Sequence, residues 1–298
     1  MDITLNEPYV QQLSESWYKP YIQRVSMLQL DVLHPVISGN KWYKLKYNIE
    51  YALNNGYQAV LTFGGAYSNH LVATAAAAKV YGLKSIGIVR GSYTELSPTL
   101  HDCISYGMEL QFVSREDYKR KTDAAWLESL IHKYNDPFII PEGGANEQGR
   151  SGSEEIVSCI PEDITHVCVS VGTGTTFAGI RNGLPVNKML YGYAPMKGGI
   201  YLKGETIQYL KPGQDANWQF FDDWHFGGFG KWTNELVDFM NAFYSINHIP
   251  LDMVYTAKMM FGIKEQLQSG FFPSNARVCC IHTGGLQGNS SIAHLLQY

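Results

Sequence analysis

Ser38-Gly39-Asn40-Lys41-Trp42-Tyr43-Lys44-Leu45 is the stretch that decides how this chain is read. Lys41 follows a Gly-Asn turn and opens an apolar-periodic run, Trp42, Leu45, Ile49, Ala52 and Leu53, whose spacing predicts a helix over about 42–55. A lysine at a helix start has its ammonium beside unpaired backbone N–H groups and at the positive end of the helix dipole. That setting favours the neutral amine, the form that attacks carbonyls as a Schiff-base nucleophile. The plainer alternative is a solvated surface lysine, because most lysines are exposed. The rest of the chain decides between the two.

Outward from this stretch, short apolar strands alternate with helical patterns. Strands are expected at 58–63, 85–89, 110–113, 138–140, 165–171, 187–193 and 278–281. Helices are expected near 68–82, 98–107, 116–134, 147–160, from 176, 231–246 and 253–268, with one more closing the chain. Buried strands alternating with helices mean parallel α/β layers. Residues 194–230, broken by Gly198-Gly199, Pro212-Gly213 and Gly227-Gly228, read as a loop-rich insertion.

The 298 residues provide for one large domain or two smaller ones, and 45% apolar with 17% charged residues is an ordinary globular balance. A net charge of −4 with no basic run argues against nucleic-acid binding. No apolar run reaches membrane-spanning length; Ala73–Ala78 is expected inside an amphipathic helix. The start, MDITLNEPYV, has neither a basic n-region nor an apolar h-region, so no secretory leader is expected. Five cysteines, 103, 159, 168, 279 and 280, are odd in number and lack CxxC spacing. They point to a reduced, cytoplasmic protein without a zinc site or disulfide framework, with Cys279 and Cys280 facing opposite ways on one strand.

Three glycine-rich loops follow strands, where α/β sheets bind ligands. The first is Gly64-Gly65-Ala66-Tyr67-Ser68-Asn69-His70. Ser68 suits a helix N-cap, and the loop suits a carboxylate or phosphate; a hydrolase elbow would need glycines at 66 and 70. The second is Gly172-Thr173-Gly174-Thr175-Thr176, where amides, hydroxyls and a helix dipole converge as a phosphate monoester requires. Phe177 stands where a dinucleotide fingerprint needs glycine, and no Gly-Lys-Ser/Thr follows for a P-loop. The third is His282-Thr283-Gly284-Gly285, and a fourth piece, Asp252-Met253-Val254-Tyr255-Thr256-Ala257-Lys258, opens a helix. Each has a plain reading as a turn or a core residue.

Taken in order, these pieces resemble the pyridoxal-phosphate enzymes of the tryptophan-synthase-β-like fold. They are closest to the branch containing 1-aminocyclopropane-1-carboxylate (ACC) deaminase and D-cysteine desulfhydrase. The branch's Gly-Asn-Lys, Gly-Gly-x-x-Ser-Asn-His/Gln, Thr-Gly-Ser/Thr-Thr, Val-Tyr-x-x-Lys and His-x-Gly-Gly match at Gly39–Lys41, Gly64–His70, Thr173–Thr176, Val254–Lys258 and His282–Gly285. One departure is Leu30–Ile37, where relatives carry a longer Lys-Arg-Glu-Asp loop.

The resemblance implies two parallel-sheet α/β domains, a large one from 1–44 and 160–298 and a small one from 45–159, with pyridoxal 5′-phosphate in the cleft between them. It implies that Lys41 holds the cofactor covalently and moves protons at the substrate carbon. Asn69 would bind the phenolic oxygen, Thr173, Gly174, Thr175 and Thr176 the phosphate, and Thr283 the pyridine nitrogen. Ser68 would reach the substrate carboxylate with Asn69 and His70 close by, and Tyr255 would lie by the ring and act on substrate. A homodimer and a small amino-acid substrate are expected from the same source.

ACC deaminases place Glu after the Val-Tyr, Leu between the His and the Gly-Gly, and Tyr-Gly in the preceding loop. This chain has Thr256, Thr283 and Phe229-Gly230. All three lean toward β-elimination of the D-cysteine desulfhydrase kind, with ACC deamination the alternative. A nucleotide-binding oxidoreductase is opposed by Phe177 and Lys41, and a catalytically idle cofactor-binding protein by retention of both Lys41 and Asn69.

Overall fold

The computed structural model describes residues 3–298, and ten strands within them form two sheets. Strands β1 (Tyr9–Gln12), β2 (Arg24–Gln29), β7 (His166–Ser170), β8 (Met189–Tyr193), β9 (Trp218–Phe221) and β10 (Arg277–His282) make a six-stranded sheet ordered β1-β2-β10-β7-β8-β9. Its strands run parallel except for β1, which pairs antiparallel with β2. Strands β3 (Ala59–Gly64), β4 (Lys84–Arg90), β5 (Met108–Val113) and β6 (Phe138–Ile140) make an all-parallel sheet ordered β5-β4-β3-β6. The fold is the α/β class that the alternation of patterns predicts.

The central strands β3, β7 and β10 are covered on both faces, which is why they are almost wholly buried and mostly apolar. In the larger sheet the pleat sends Cys280 into a core with Met27, Met259 and Ile263, and Cys279 into the opposite one with Val167 and Phe177. The two cysteines face opposite ways, as expected, and all five thiols are free.

Three elements correct the sequence reading. The helix Asn69–Val80 is not amphipathic: His70 to Ala78 are all buried. Ala73, Ala76, Ala77 and Ala78 pack against the helix Asn40–Asn54 and β3, while Leu71, Val72 and Ala75 pack under the helix Pro98–Ser105. Small side chains let neighbours close on it from both sides. The single helix expected over 116–134 is two, Arg115–Tyr118 and Ala124–Lys133. The second is started by Asp123, whose carboxylate accepts from Trp126 N at 2.8 Å. The closing helix is a 3-10 run, Leu286–Leu295.

The segment before residue 42 contributes β1 and β2, and the insertion 194–230 contains β9 and a short helix, Leu202–Ile207; neither pattern was anticipated. No helix among the described residues is long and apolar enough to cross a membrane.

Candidate active site

Each glycine-rich loop leaves the carboxyl end of a parallel strand: β3 into Gly65–His70, β7 into Val171–Thr176, and β10 into Thr283–Asn289. Contacts tie them into one site. A Cβ built on Gly39 would lie 2.0 Å from Thr283 O, and Asn40 N donates to that same oxygen at 3.2 Å. Gly39 has φ +62°, so both space and backbone demand glycine there. The Lys41 turn is thereby docked on the β10 loop.

Lys41 is the second residue of the helix Asn40–Asn54, which starts two residues earlier than its apolar period indicates. Its Nζ donates to Asn40 Oδ1 at 2.7 Å, and Asn40 Nδ2 donates to Thr176 Oγ1 at 2.8 Å. The buried Asn40 amide therefore links the lysine to the Thr173–Thr176 loop. Burial pushes the Lys41 amine down to about 8, against a smaller upward pull from the Asp252 carboxylate. Desolvation, more than the helix dipole, is what favours the neutral amine.

Gly174 (φ +77°) caps the helix Thr175–Gly183, and Thr173 and Thr175 hydroxyls meet at 2.8 Å beside it. A second buried lysine lies on the same helix as Lys41. Lys44, one turn beyond Lys41, is 6% exposed and forms no ion pair or side-chain amine hydrogen bond among the described residues. Burial, with Lys41 beside it, holds its pKa well below the ordinary value. The turn at 143–144 joins the two features. A Cβ on Gly143 would meet Thr173 Cγ2 at 2.8 Å, and one on Gly144 would meet Lys44 Cβ at 3.1 Å.

His70 is buried behind Lys44. Its Nε2 lies 2.9 Å from Thr62 Oγ1, whose own proton goes to Ile140 O at 2.7 Å. Nε2 is therefore the donor, and the ring is neutral with Nδ1 unpartnered. Burial, then Lys44 and Lys41, push it down to about 3. Thr62 turns the ring into the wall, where it supports Lys44.

Ser68 accepts from Leu71 N at 3.3 Å as the N-cap of the next helix. Asn69 follows it, its amide making no hydrogen bond among the described residues and its Oδ1 buried without a partner. A Cβ on Gly285 would lie 3.0 Å from Asn69 Nδ2 and 3.5 Å from Asp252 Cγ. Asp252 is fully buried. Its Oδ1 accepts from Val254 N at 3.0 Å and Tyr255 N at 2.8 Å, and its Oδ2 from Thr256 N at 2.8 Å and Thr256 Oγ1 at 2.7 Å. These bonds close the turn that leads into the helix Thr256–Gln268, whose N-cap is Tyr255. The Tyr255 ring lies over Gly172, 3.4 Å from a Cβ built there, and meets Phe229 edge-on at 5.8 Å. Burial, then Asp252 and Glu142, raise its hydroxyl pKa.

The structure thus gathers Lys41, Asn69, Thr173–Thr176, Tyr255 and Thr283 around one space, with Ser68 at its edge. Two desolvated lysines, a helix N-terminus and an open amide fit a phosphorylated, electron-withdrawing ring. Among the described residues no cluster of three or more His, Cys, Asp or Glu is placed to hold a metal. Sequence reasoning overlooked Asn40, Lys44 and Asp252 as functional groups. Asn40 and Asp252 stood inside quoted motifs, and Lys44 is signalled by its i+3 spacing from Lys41.

Comparison with known proteins agrees with this geometry. Residues 20–188 match the family model described as "Pyridoxal-phosphate dependent enzyme". A protein of Thermotoga maritima named "Putative 1-aminocyclopropane-1-carboxylate deaminase" is 30% identical over 302 residues, covering 94% of this chain and 93% of its own. One of the same name from Pyrococcus horikoshii is 30% identical, covering 85% and 81%. The crystal structure of an ACC deaminase homologue superposes with a TM-score of 0.83 at 27% identity, covering 99% of this chain and 95% of that one. O-ureido-L-serine synthase, with a TM-score of 0.67 at 15% identity, shares the fold. Lys41 in its desolvated, phosphate-ready pocket is therefore part of a known architecture: the chain belongs to the pyridoxal-phosphate-dependent enzymes of the ACC-deaminase-like branch, and its cofactor is pyridoxal phosphate.

Proposed function

We propose that the protein is a lyase that eliminates a β-substituent from a small amino acid. D-Cysteine is the favoured substrate; with water it would give pyruvate, ammonia and sulfide. The observation that carries this reading is the company Tyr255 keeps. Thr256, where ACC deaminases have Glu, spends its hydroxyl on Asp252, and Phe229 presents an edge without a phenol.

Pyridoxal phosphate, when bound, supplies an electron sink for charge developing at the substrate α-carbon. Thr173, Gly174, Thr175 and Thr176 hold its phosphate through backbone N–H groups and hydroxyls at the helix N-terminus. Lys44, whose burial disfavours the charged form, would gain a proton beside a bound phosphate and so help to balance that charge. Asn69 would donate to the phenolic oxygen, and the Thr283 hydroxyl would pair with the pyridine nitrogen.

Lys41 carries the cofactor, and its amine moves the proton at the substrate α-carbon; a value of about 8 makes it an effective base near neutral pH. Asn40 aims that amine. Ser68 binds the substrate carboxylate, and Tyr255 closes the opposite side. β-Elimination needs only α-proton removal and departure of the β-substituent. ACC has no α-hydrogen, so its ring opening calls for a nucleophile or proton relay that Thr256 and Phe229 do not provide.

ACC deamination is the second reading, favoured by the names that the relatives carry. The test is a panel of D-cysteine, L-cysteine, D-serine, β-chloro-D-alanine and ACC, followed by pyruvate, 2-oxobutyrate and sulfide release. D-Cysteine or the chloro analogue should be turned over far faster than ACC. Release of 2-oxobutyrate from ACC at a matching rate would overturn the reading.

A further inference from the structure

Lys258 lies in the first turn of the helix Thr256–Gln268 and is only 2% exposed. Its ammonium donates to Pro195 O at 3.1 Å, His225 O at 2.9 Å and Gly228 O at 2.8 Å. A buried cation at a helix N-terminus is doubly unfavourable, by desolvation and by the dipole. Its three N–H groups are all spent on backbone carbonyls rather than on a carboxylate. Those carbonyls come from both ends of the glycine-rich insertion that leads to Phe229.

The clasped turn has little stability of its own. Phe226, Gly227 and Gly228 have φ of +49°, +90° and +125° in succession. Internal bonds to His225 close it, from Gly228 N to the carbonyl oxygen and from Gly227 N to Nδ1, each at 3.0 Å. Phe226 anchors one side by meeting Phe261 edge-on at 4.9 Å. Lys258 fastens the other. The next residue, Phe229, is half exposed and stands against Tyr255. Because Tyr255 and Lys258 are three residues apart on one helix, the clasp and the ring that Phe229 meets are held in a fixed relation.

We propose that Lys258 is a positioning residue for substrate, clasping the 225–228 turn so that Phe229 forms an apolar wall against Tyr255 over the substrate's side chain. This inference rests on the cleft binding a small amino acid. It predicts that small, uncharged β-substituents are preferred over charged ones.

The test compares the enzyme with Lys258→Met, Phe229→Ala and the double variant, using three readouts. These are hydrogen–deuterium exchange over 224–232 with and without cofactor, a titration of the cofactor's absorbance with D-alanine, and kcat and KM for D-cysteine. Lys258→Met should speed exchange across 225–230. It should also weaken D-alanine binding and raise KM by about tenfold, of the order of one lost charge-assisted hydrogen bond, with kcat and the cofactor spectrum held. Phe229→Ala should weaken binding similarly with exchange at 225–228 unchanged. The double variant should bind no worse than either single one. If Lys258→Met does not fold, Lys258→Arg carries the test, since a planar guanidinium cannot aim three donors at these carbonyls. Unchanged exchange, or additive losses in the double variant, would overturn the proposal. Failure to turn over D-cysteine would sink the functional reading alone, because exchange and D-alanine binding need no leaving group.

Discussion

The Thr256 hydroxyl donates to Asp252 Oδ2 at 2.7 Å, and both residues are fully buried at the start of the Tyr255 helix. Thr256 is thus tied into the turn that starts the helix. In sequence it is simply the position where ACC deaminases carry Glu, which invites Thr256→Glu as a route to that activity. The structure points the other way. The exchange removes a donor to Asp252 and sets a second carboxylate against it.

Thr256→Glu is therefore expected to destabilise the protein by about 3 kcal/mol, the scale of an uncompensated buried charge. Thr256→Ser should be nearly neutral. Thermal melting of the two variants checks this, and a gain of ACC turnover by Thr256→Glu, alone or with Thr283→Leu, at undiminished stability would contradict it.

Borohydride reduction of the enzyme as purified should fix the cofactor to Lys41, and peptide mass spectrometry should find the adduct there. Lys41→Ala should abolish it. Lys44→Ala should keep the adduct on Lys41 but lose cofactor more readily on dialysis, because it removes a buried amine that a bound phosphate would draw into its charged form. Lys46→Ala should do neither, since Lys46 pairs with Glu155 away from the loop.

Uptake of pyridoxal phosphate by the cofactor-free protein should accelerate as pH rises and level off above about 8, where Lys41 becomes neutral. An ordinary lysine would continue to accelerate toward 10.5. Asp252→Asn removes the carboxylate that pulls the value up, so the midpoint should move below about 8. The stability of the cofactor-free protein follows the same sign. Between about 8 and 10.5 the unfolded chain binds the proton that folded Lys41 has lost, so this group adds stability as pH rises, and Lys258 acts in the same sense. Urea melts across that window measure it.

Gly174→Ala should weaken cofactor binding and stability for two reasons. The left-handed backbone costs a residue with a Cβ about 1–2 kcal/mol. The new carbon would also lie 2.3 Å from Thr206 Oγ1. Thr206→Ala in the same chain should recover the second part and leave the first. Equal effects of Gly174→Ala with and without the Thr206 hydroxyl would show that blocked approach of the phosphate, rather than this clash, dominates.

The alternation of short apolar strands with helical periods determined the α/β class, because each element's period is local. Five short motifs marked the loops that meet at the site, because turn glycines and helix caps are also chosen locally. Strand β2 was not legible: besides its short pairing with β1, its partner β10 lies some 250 residues away, with Arg24 beside Arg277, and that pairing builds the whole of Arg24–Gln29 into the sheet. Strand β9 was hidden for another reason: it pairs with nearby β8 but stands within an insertion whose glycine and proline breakers read as loop.

At the site, the sequence by itself determined that Lys41 opens a helix after a Gly-Asn turn. Only the tertiary structure decided that the amine is desolvated and held by Asn40, that Lys44 is a second desolvated lysine, and that burial beside the two lysines keeps His70 neutral. It likewise set Asp252 as the carboxylate that occupies the Thr256 hydroxyl. These are properties of burial and of hydrogen-bond partners far apart in the chain, and proton affinity and side-chain direction follow from those surroundings rather than from the residue's own identity.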